Sequence, residues 1–270
     1  MFLNSCGGGG GYGRASLAGA PKIVNVSSYD PKEKQRSGDS FSSTDVSALR
    51  RNGALGLIAR CGKGKLLDEK CADFLSAADR QGMLLGTYYF VLRDTDPVWQ
   101  ADQYIDRLRQ IAAQRGLLGR RILLVGDFDT KSRPADLVSF INRVEQRTGV
   151  LPAIYLENSN QLRNSLSNAT PEQKNRIRQC PYWIALYSHD SGFRTPVDLM
   201  NAYGIWTDWA MWQYAGVEWS RRSVAKHYNE GPWKSPAWFG TMDRPLEHNA
   251  FNGSVGEMNR FWAKHSWLVR

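Results

Sequence analysis

Short apolar runs alternate along this chain with amphipathic stretches, the pattern of strands and helices taking turns. Strands are predicted at 22–29 (KIVNVSSY), 55–60 (LGLIAR), 84–92 (LLGTYYFVL), 121–129 (RILLVGDFD), 151–157 (LPAIYLE) and 182–188 (YWIALYS). Helices are predicted to begin near Thr44, Glu69, Pro97, Ala135 and Pro171. Pro97 and Pro171 sit where a first helical turn accepts proline, and Gly82, Gly116 and Gly149 sit where helices commonly stop. After about residue 190 the alternation fades. WAMWQYA (209–215) still reads as a strand, the Trp-rich stretch 217–243 as loop, and SVGEMNRFWAKH (254–265) as a closing helix. Repeated strand-helix units of this spacing imply a parallel sheet, and with seven or eight strands its economical closure is an α/β barrel of the TIM-barrel type over residues 22–270. In such barrels the site lies at the C-terminal ends of the strands.

One strand end carries chemistry. RILLVGDFD runs apolar and then stops in Asp127 and Asp129, which share a face because side chains at i and i+2 of a strand point the same way. Two carboxylates a few ångströms apart resist simultaneous ionisation, so one holds its proton more tightly and an acid stands beside a base. The alternative is an aspartate pair in the loop after a strand, capping the next helix.

The 270 residues include 35 Lys and Arg against 26 Asp and Glu, a formal charge of +9. That sign favours anionic partners in general, and its even spread along the chain selects none of them. No apolar run approaches the roughly 20 residues that cross a bilayer. His189, His227, His248 and His265 lack metal-ligand spacing, so neither metal nor cofactor is expected, and no nucleic-acid partner.

At the start of the chain, Leu3-Asn4-Ser5-Cys6 resembles the lipobox of bacterial lipoproteins and is followed by a glycine-rich tether. The resemblance implies an exported protein of the cell envelope or periplasm, lipid-anchored through Cys6, with residues 1–21 outside the folded domain. The basic start and apolar segment of an export signal would then precede residue 1. Cys61, Cys71 and Cys180 remain. In an oxidising compartment Cys61 with Cys71 is the expected bridge, and three buried thiols are the alternative.

The order of motifs resembles the lysozymes of glycoside hydrolase family 25, the Chalaropsis-type muramidases. Val24-Asn25-Val26-Ser27-Ser28-Tyr29 is similar to the family's Gly-Ile-Asp-Val-Ser strand end, and Gly86, Tyr88, Tyr89 and Phe90 to its Gly-x-Tyr-His-Phe. Asp127 and Asp129 fall on the family's Asp-x-Glu. Pro152, Ile154 and Tyr155, then Trp183, Ala185 and Tyr187, then Trp212-Gln213-Tyr214 match later strands, and Pro245 to Gly253 resembles Pro-Val-Asp-Arg-Asn-x-Phe-Asn-Gly. The resemblance implies an irregular β/α barrel that cleaves the β-1,4 bond of peptidoglycan glycan strands, with Asn25, Asp127, Asp129 and Glu247 converging as the catalytic group. It makes Asp129 the general acid and leaves Asp127 ionised beside it.

Three of the four acidic positions depart from the family: Asn25 stands for an Asp, Asp129 for the Glu and Glu247 for an Asp. Asn25 carries no charge but can hold a sugar hydroxyl or acetamide through its amide. Asp129 has one methylene less reach, and roughly an ångström of misplacement can cost on the order of a hundredfold in rate. Glu247 could extend into the space this leaves. Around them Tyr88, Tyr89, Tyr155, Trp183, Tyr187, Trp212, Gln213 and Tyr214 are expected to line the sugar site, though aromatics there also serve as packing. Arg60 can meet a muramyl carboxylate or form a structural ion pair with Asp127, and Val217 to Arg244, with Trp219, Trp233 and Trp238, suggests a lid or extra wall. Two other functions compete: a silent descendant that binds glycan strands as a scaffold, and a haloacid-dehalogenase-like phosphatase built on Asp127-Phe128-Asp129-Thr130.

Overall fold

A computed structural model describes residues 19–28, 43–186, 195–215 and 246–270. Cys6 and its tether, Tyr29, Tyr187, His189, His227, Pro245 and the segment with Trp219, Trp233 and Trp238 lie outside the described residues.

The chain runs β1 (Lys22–Val26), α1 (Ser43–Arg51), β2 (Ala54–Lys63), β3 (Leu66–Leu67), α2 (Cys71–Arg80), β4 (Leu84–Val91), α3 (Pro97–Arg115) and β5 (Arg121–Phe128). It continues with α4 (Pro134–Thr148), β6 (Ala153–Leu156), α5 (Asn160–Ser167), α6 (Pro171–Arg178), β7 (Tyr182–Ala185), α7 (Pro196–Tyr203), β8 (Met211–Ala215), β9 (Glu247–Phe251), α8 (Val255–His265) and β10 (Ser266–Leu268). Proline opens α3, α4, α6 and α7, and glycine in the left-handed conformation ends α3 at Gly116 (φ 70°) and α4 at Gly149 (φ 76°).

The strands pair in the order β1-β9-β8-β7-β6-β5-β4-β2, and β1 pairs with β2 to close the barrel. The expectation of a parallel sheet is corrected within the barrel at β9, which runs antiparallel between β8 and β1, and outside it at β3 and β10, which pair antiparallel with β2 and β5. In the sequence β9 stands out as a motif and not as a strand. Its inward positions are Glu247, Asn249 and Phe251, two of them polar, so the apolar alternation that marks a strand is broken.

Alternation sorts each strand into two environments. Ile23, Ile58, Tyr88, Leu123, Val125, Ala153, Trp183, Met211 and Phe251 pack together inside the barrel with Met258 and Trp262 of α8. The intervening residues, among them Val24, Leu57, Tyr89, Leu124, Ile154, Ile184 and Trp212, face the helices in the larger outer core. The indole N–H of Trp262 donates to the Leu85 carbonyl at 2.7 Å, which fixes α8 across the N-terminal end of the barrel as its floor. Gly126 of the RILLVGDFD strand has a packing reason, since a Cβ there would stand 2.8 Å from the Phe128 ring and 3.0 Å from that of Phe140 on α4.

Cys61 and Cys71 lie together, buried and unbridged, and Cys180 is a separate buried thiol. The expected disulfide is therefore not formed here. The Cys71 thiol is held protonated, first by its hydrogen bond with Cys61 and then by burial, and burial pushes Cys180 up to about 12. In dry packing a neutral thiol behaves as a small apolar group.

Candidate active site

The inward parity of each strand continues to the C-terminal mouth, and there the side chains become polar. On β1 Ile23 gives way to Asn25, on β5 Leu123 and Val125 to Asp127, on β8 Met211 to Gln213, and on antiparallel β9 Phe251 to Asn249 and Glu247. Register fixes their heights: Asn25 is opposite Glu247, Gln213 opposite Asn249, and Asp127 opposite Tyr155.

Asn25, Gln213 and Asn249 are buried amides joined in one network. The Asn25 side-chain oxygen accepts from Gln213 at 3.0 Å and from Asn249 at 2.8 Å, and its nitrogen donates to the Glu247 carboxylate. Asn249 also donates to the Ile23 carbonyl at 3.2 Å and accepts from the Trp183 indole at 2.8 Å. The Tyr155 hydroxyl donates to Gln213 at 2.7 Å, and the Tyr155 ring meets Trp183 edge to face at 4.9 Å. A network in which each amide has its partners is rigid, and it gives Asn25 a different task from the one expected: its amide anchors Glu247 and the neighbouring amides. A neutral Asn beside Glu247 also avoids the repulsion that a second carboxylate would bring.

Asp127 sits at the centre of the charged groups. Part of its side chain reaches solvent, yet loss of hydration within the barrel wall is the largest influence on its proton. The charges of Glu157 and Glu247 push in the same direction, Arg60 and Lys63 oppose them, and the carboxyl is raised well above its ordinary value. These influences favour the protonated form of Asp127, whereas the sequence led to the expectation of an ionised one. Asp129 lies one residue past β5 and is half-buried. Its Oδ1 accepts from the Lys131 N–H at 3.0 Å and from the Thr130 hydroxyl at 3.3 Å, which turns the carboxylate into the backbone of its own loop.

Arg60 forms its ion pair with Asp68, Nε to Oδ2 at 2.9 Å, and not with the expected Asp127, on which it acts only through its charge. Asp68 is buried and also accepts the Ser28 N–H at 3.0 Å, the Ser28 hydroxyl and the Lys70 N–H at 3.3 Å, so it ties the end of β1 to the rim of β2. Sequence reading passed over Asp68, a charge in a turn with no pattern to mark it.

Of the expected aromatic lining, Tyr88, Tyr155 and Trp183 belong to the inner face. Tyr89, Trp212 and Tyr214 do not: they lie in the outer core. Tyr89 donates its hydroxyl to the Gly64 carbonyl at 2.6 Å, and Trp212 its indole N–H to the Leu186 carbonyl at 2.9 Å. Consecutive strand residues cannot share a face, so Tyr88 excludes Tyr89, and within Trp212-Gln213-Tyr214 only Gln213 can reach the mouth.

Glu157 was also missed. It follows Ala153 and Tyr155 at strand spacing, the same argument that selected Asp127, and it lies one residue beyond β6.

These features define a glycoside hydrolase barrel. The sequence model of glycosyl hydrolases family 25 matches residues 33–220, and the chain belongs to that family. Its fold is similar to that of a bacterial lysozyme from Streptomyces coelicolor, with TM-score 0.58 and 16% identity over 91% of this chain and 97% of that one. A muramidase from Trichobolus zukalii gives TM-score 0.58 and 18% identity over 91% and 99% of the two chains. A family 25 glycosyl hydrolase from Bacillus anthracis gives 0.55 and 18% over 88% and 92%. Comparison with curated protein sequences gives no match. Family membership removes the phosphatase reading of Asp127-Phe128-Asp129-Thr130.

Proposed function

We propose that the protein is a muramidase that hydrolyses the β-1,4 bond between N-acetylmuramic acid and N-acetylglucosamine in peptidoglycan. The observation that carries this reading is the inward Asp127 carboxyl, its protonated form favoured by loss of hydration, at the same barrel mouth as the Asn25–Glu247 pair and Tyr155 in a family 25 barrel. Cleavage needs a protonated acid at the glycosidic oxygen and negative charge near the sugar carbon that becomes cationic. Asp127 supplies the first and Glu247, held by Asn25, the second. The half-buried Tyr155 offers its ring to a pyranose unit, with the buried Trp183 packed behind it, and Arg60 at the rim favours the anionic lactyl group of the muramyl sugar.

Incubation of purified peptidoglycan with the protein, followed by analysis of new reducing ends, tests the reading. Wild type should release N-acetylmuramic acid ends, and Asp127→Asn should lose this by roughly 10² to 10⁴, the usual worth of an acid-base group. Loss with Asp129→Asn but not with Asp127→Asn would return the acid to Asp129. Binding of peptidoglycan without any release would mean a silent glycan-binding descendant.

The reading includes a place of action. Support comes from the Leu3-Asn4-Ser5-Cys6 tetrapeptide and the glycine tether, which suit a lipid-anchored envelope protein. Among the described residues no helix is long and apolar enough to cross a membrane. Mass spectrometry of the N-terminal peptide from the native host should find Cys6 acylated, and an unmodified Cys6 rejects the anchor.

A further inference from the structure

Resting on the muramidase reading, we propose that Lys63, seated over Phe90 at the rim of the mouth, binds a carboxylate carried by the muramyl ring and so sets a preference for anionic over neutral glycan. That carboxylate is the free lactyl group of a strand without stem peptides or an acid group of the stem peptide itself.

The placement follows from the sheet. Tyr88 is an inward residue of β4, and Phe90, two positions on, keeps that parity at the mouth. On β2 Ile58 and Arg60 stand opposite Gly86 and Tyr88, and unbroken alternation would turn Gly62 inward and Lys63 outward to the helices. The register slips by one residue between Arg60 and Gly62, so Lys63 stands opposite Phe90 instead. A bulge of this kind re-aims the side chain that follows it. Phe90 is in turn opposite Asp127, and Asp127 opposite Tyr155. Lys63, Phe90, Asp127 and Tyr155 thus form one row across β2, β4, β5 and β6, each half-buried. With neighbouring strands about 4.8 Å apart, the Lys63 backbone is roughly 10 Å from that of Asp127, a distance that a sugar ring and its substituent can bridge.

The seat is held rigidly. The Gly64 N–H donates to the Phe90 carbonyl at 3.0 Å, and the Tyr89 hydroxyl donates to the Gly64 carbonyl at 2.6 Å. On the other side of Lys63, a Cβ on Gly62 would stand 2.5 Å from the Tyr89 ring, so the backbone lies close against β4. The Lys63 ammonium is 4.9 Å from the centroid of the Phe90 ring, which steadies the cation without neutralising it. Among the described residues no carboxylate makes an ion pair with Lys63. Arg60, by contrast, has its Nε committed to Asp68, so direct contact with a ligand carboxylate falls to Lys63.

The test uses full-length protein and glycan strands freed of stem peptides by an amidase, one batch with free lactyl carboxylates and one with these converted to neutral methyl amides. Intact peptidoglycan is the third substrate. On the charged strands Lys63→Met, which keeps an apolar stem over Phe90, should raise KM about tenfold with kcat within about twofold, and Lys63→Arg should stay near wild type. On the neutral strands Lys63→Met and wild type should share one KM. An effect confined to intact peptidoglycan supports the site and assigns its carboxylate to the stem peptide. An unchanged KM on both carboxylate-bearing substrates overturns the proposal and leaves the muramidase reading intact. An equal rise on charged and neutral strands also overturns it, since Lys63 then acts by packing. If wild type releases no reducing ends the muramidase reading fails, and binding of the same substrates decides Lys63 alone: weaker binding by Lys63→Met only where a carboxylate is present supports the site, and no difference overturns it.

Discussion

The lower and upper halves of one barrel lumen are built from the same strands with the same parity, yet they are chemically opposite. The lower half is hydrocarbon: Ile23, Leu123, Met211 and Phe251 close on Met258 and Trp262 of α8. The upper half is amide and carboxyl: Asn25, Gln213, Asn249 and Glu247, linked across β1, β8 and β9, with Asp127 on β5. The site is thus a continuation of the core, with Asn25, Gln213, Asn249 and Asp127 each standing on an apolar residue two positions along its own strand and Glu247 standing on Asn249. The lower half gives rigidity. The upper half uses it to hold charges where water would otherwise relax them.

Substitutions that affect one half and spare the other sharpen this contrast, the largest first. Trp262→Ala opens the floor and removes the donor to Leu85, and should cost about 3–5 kcal/mol of stability in denaturant titration, with activity per folded molecule kept. A fall in activity at equal folded fraction would mean that floor and mouth are coupled.

Asn25→Asp restores the acidic residue of the family but removes the donor to Glu247 and sets two carboxylates side by side. The expected loss is about 1–3 kcal/mol at pH 7. Repulsion raises the folded-state pKa of the pair, so stability is present at low pH and lost as pH rises through that value. The melting temperature of Asn25→Asp should therefore approach wild type on acidification. A constant gap across pH would contradict the charge argument.

Tyr155→Phe removes the hydroxyl that donates to Gln213 and keeps the ring against Trp183. Its cost should be about 1 kcal/mol, with weaker glycan binding as a several-fold rise in KM. An unchanged melting temperature and KM would detach Tyr155 from the network.

Much of this was legible in the sequence, for physical reasons that also explain what was not. The β1, β2, β4 and β5 strands carry apolar residues on both faces along most of their length, so their runs stood out, and Asp127 was conspicuous near the end of one. Glu247 was found through a motif, while the strand carrying it was hidden by its own inward polar residues. Tyr89, Trp212 and Tyr214 were placed at the sugar site by motif adjacency, although alternation in the same strands already put them on the other face. Glu157 was available to the argument that chose Asp127, but it follows a strand of only four residues. The reversal in Asp127 could not be read at all, because it depends on Glu157 and Glu247 arriving from distant strands.

That reversal is the centre of the account, and the carboxyl titration of Asp127 tests it most directly. Carbon NMR of protein labelled at aspartate, with the Asp127 signal assigned by its loss in Asp127→Asn, follows the proton itself. The account predicts a midpoint well above the roughly 3.9 of an ordinary aspartate. Because a raised folded-state value favours the protonated form, the stability of wild type relative to Asp127→Asn should fall as pH rises through that midpoint. A midpoint at or below the ordinary value, with no such pH dependence, would contradict the claim that this mouth holds Asp127 as an acid.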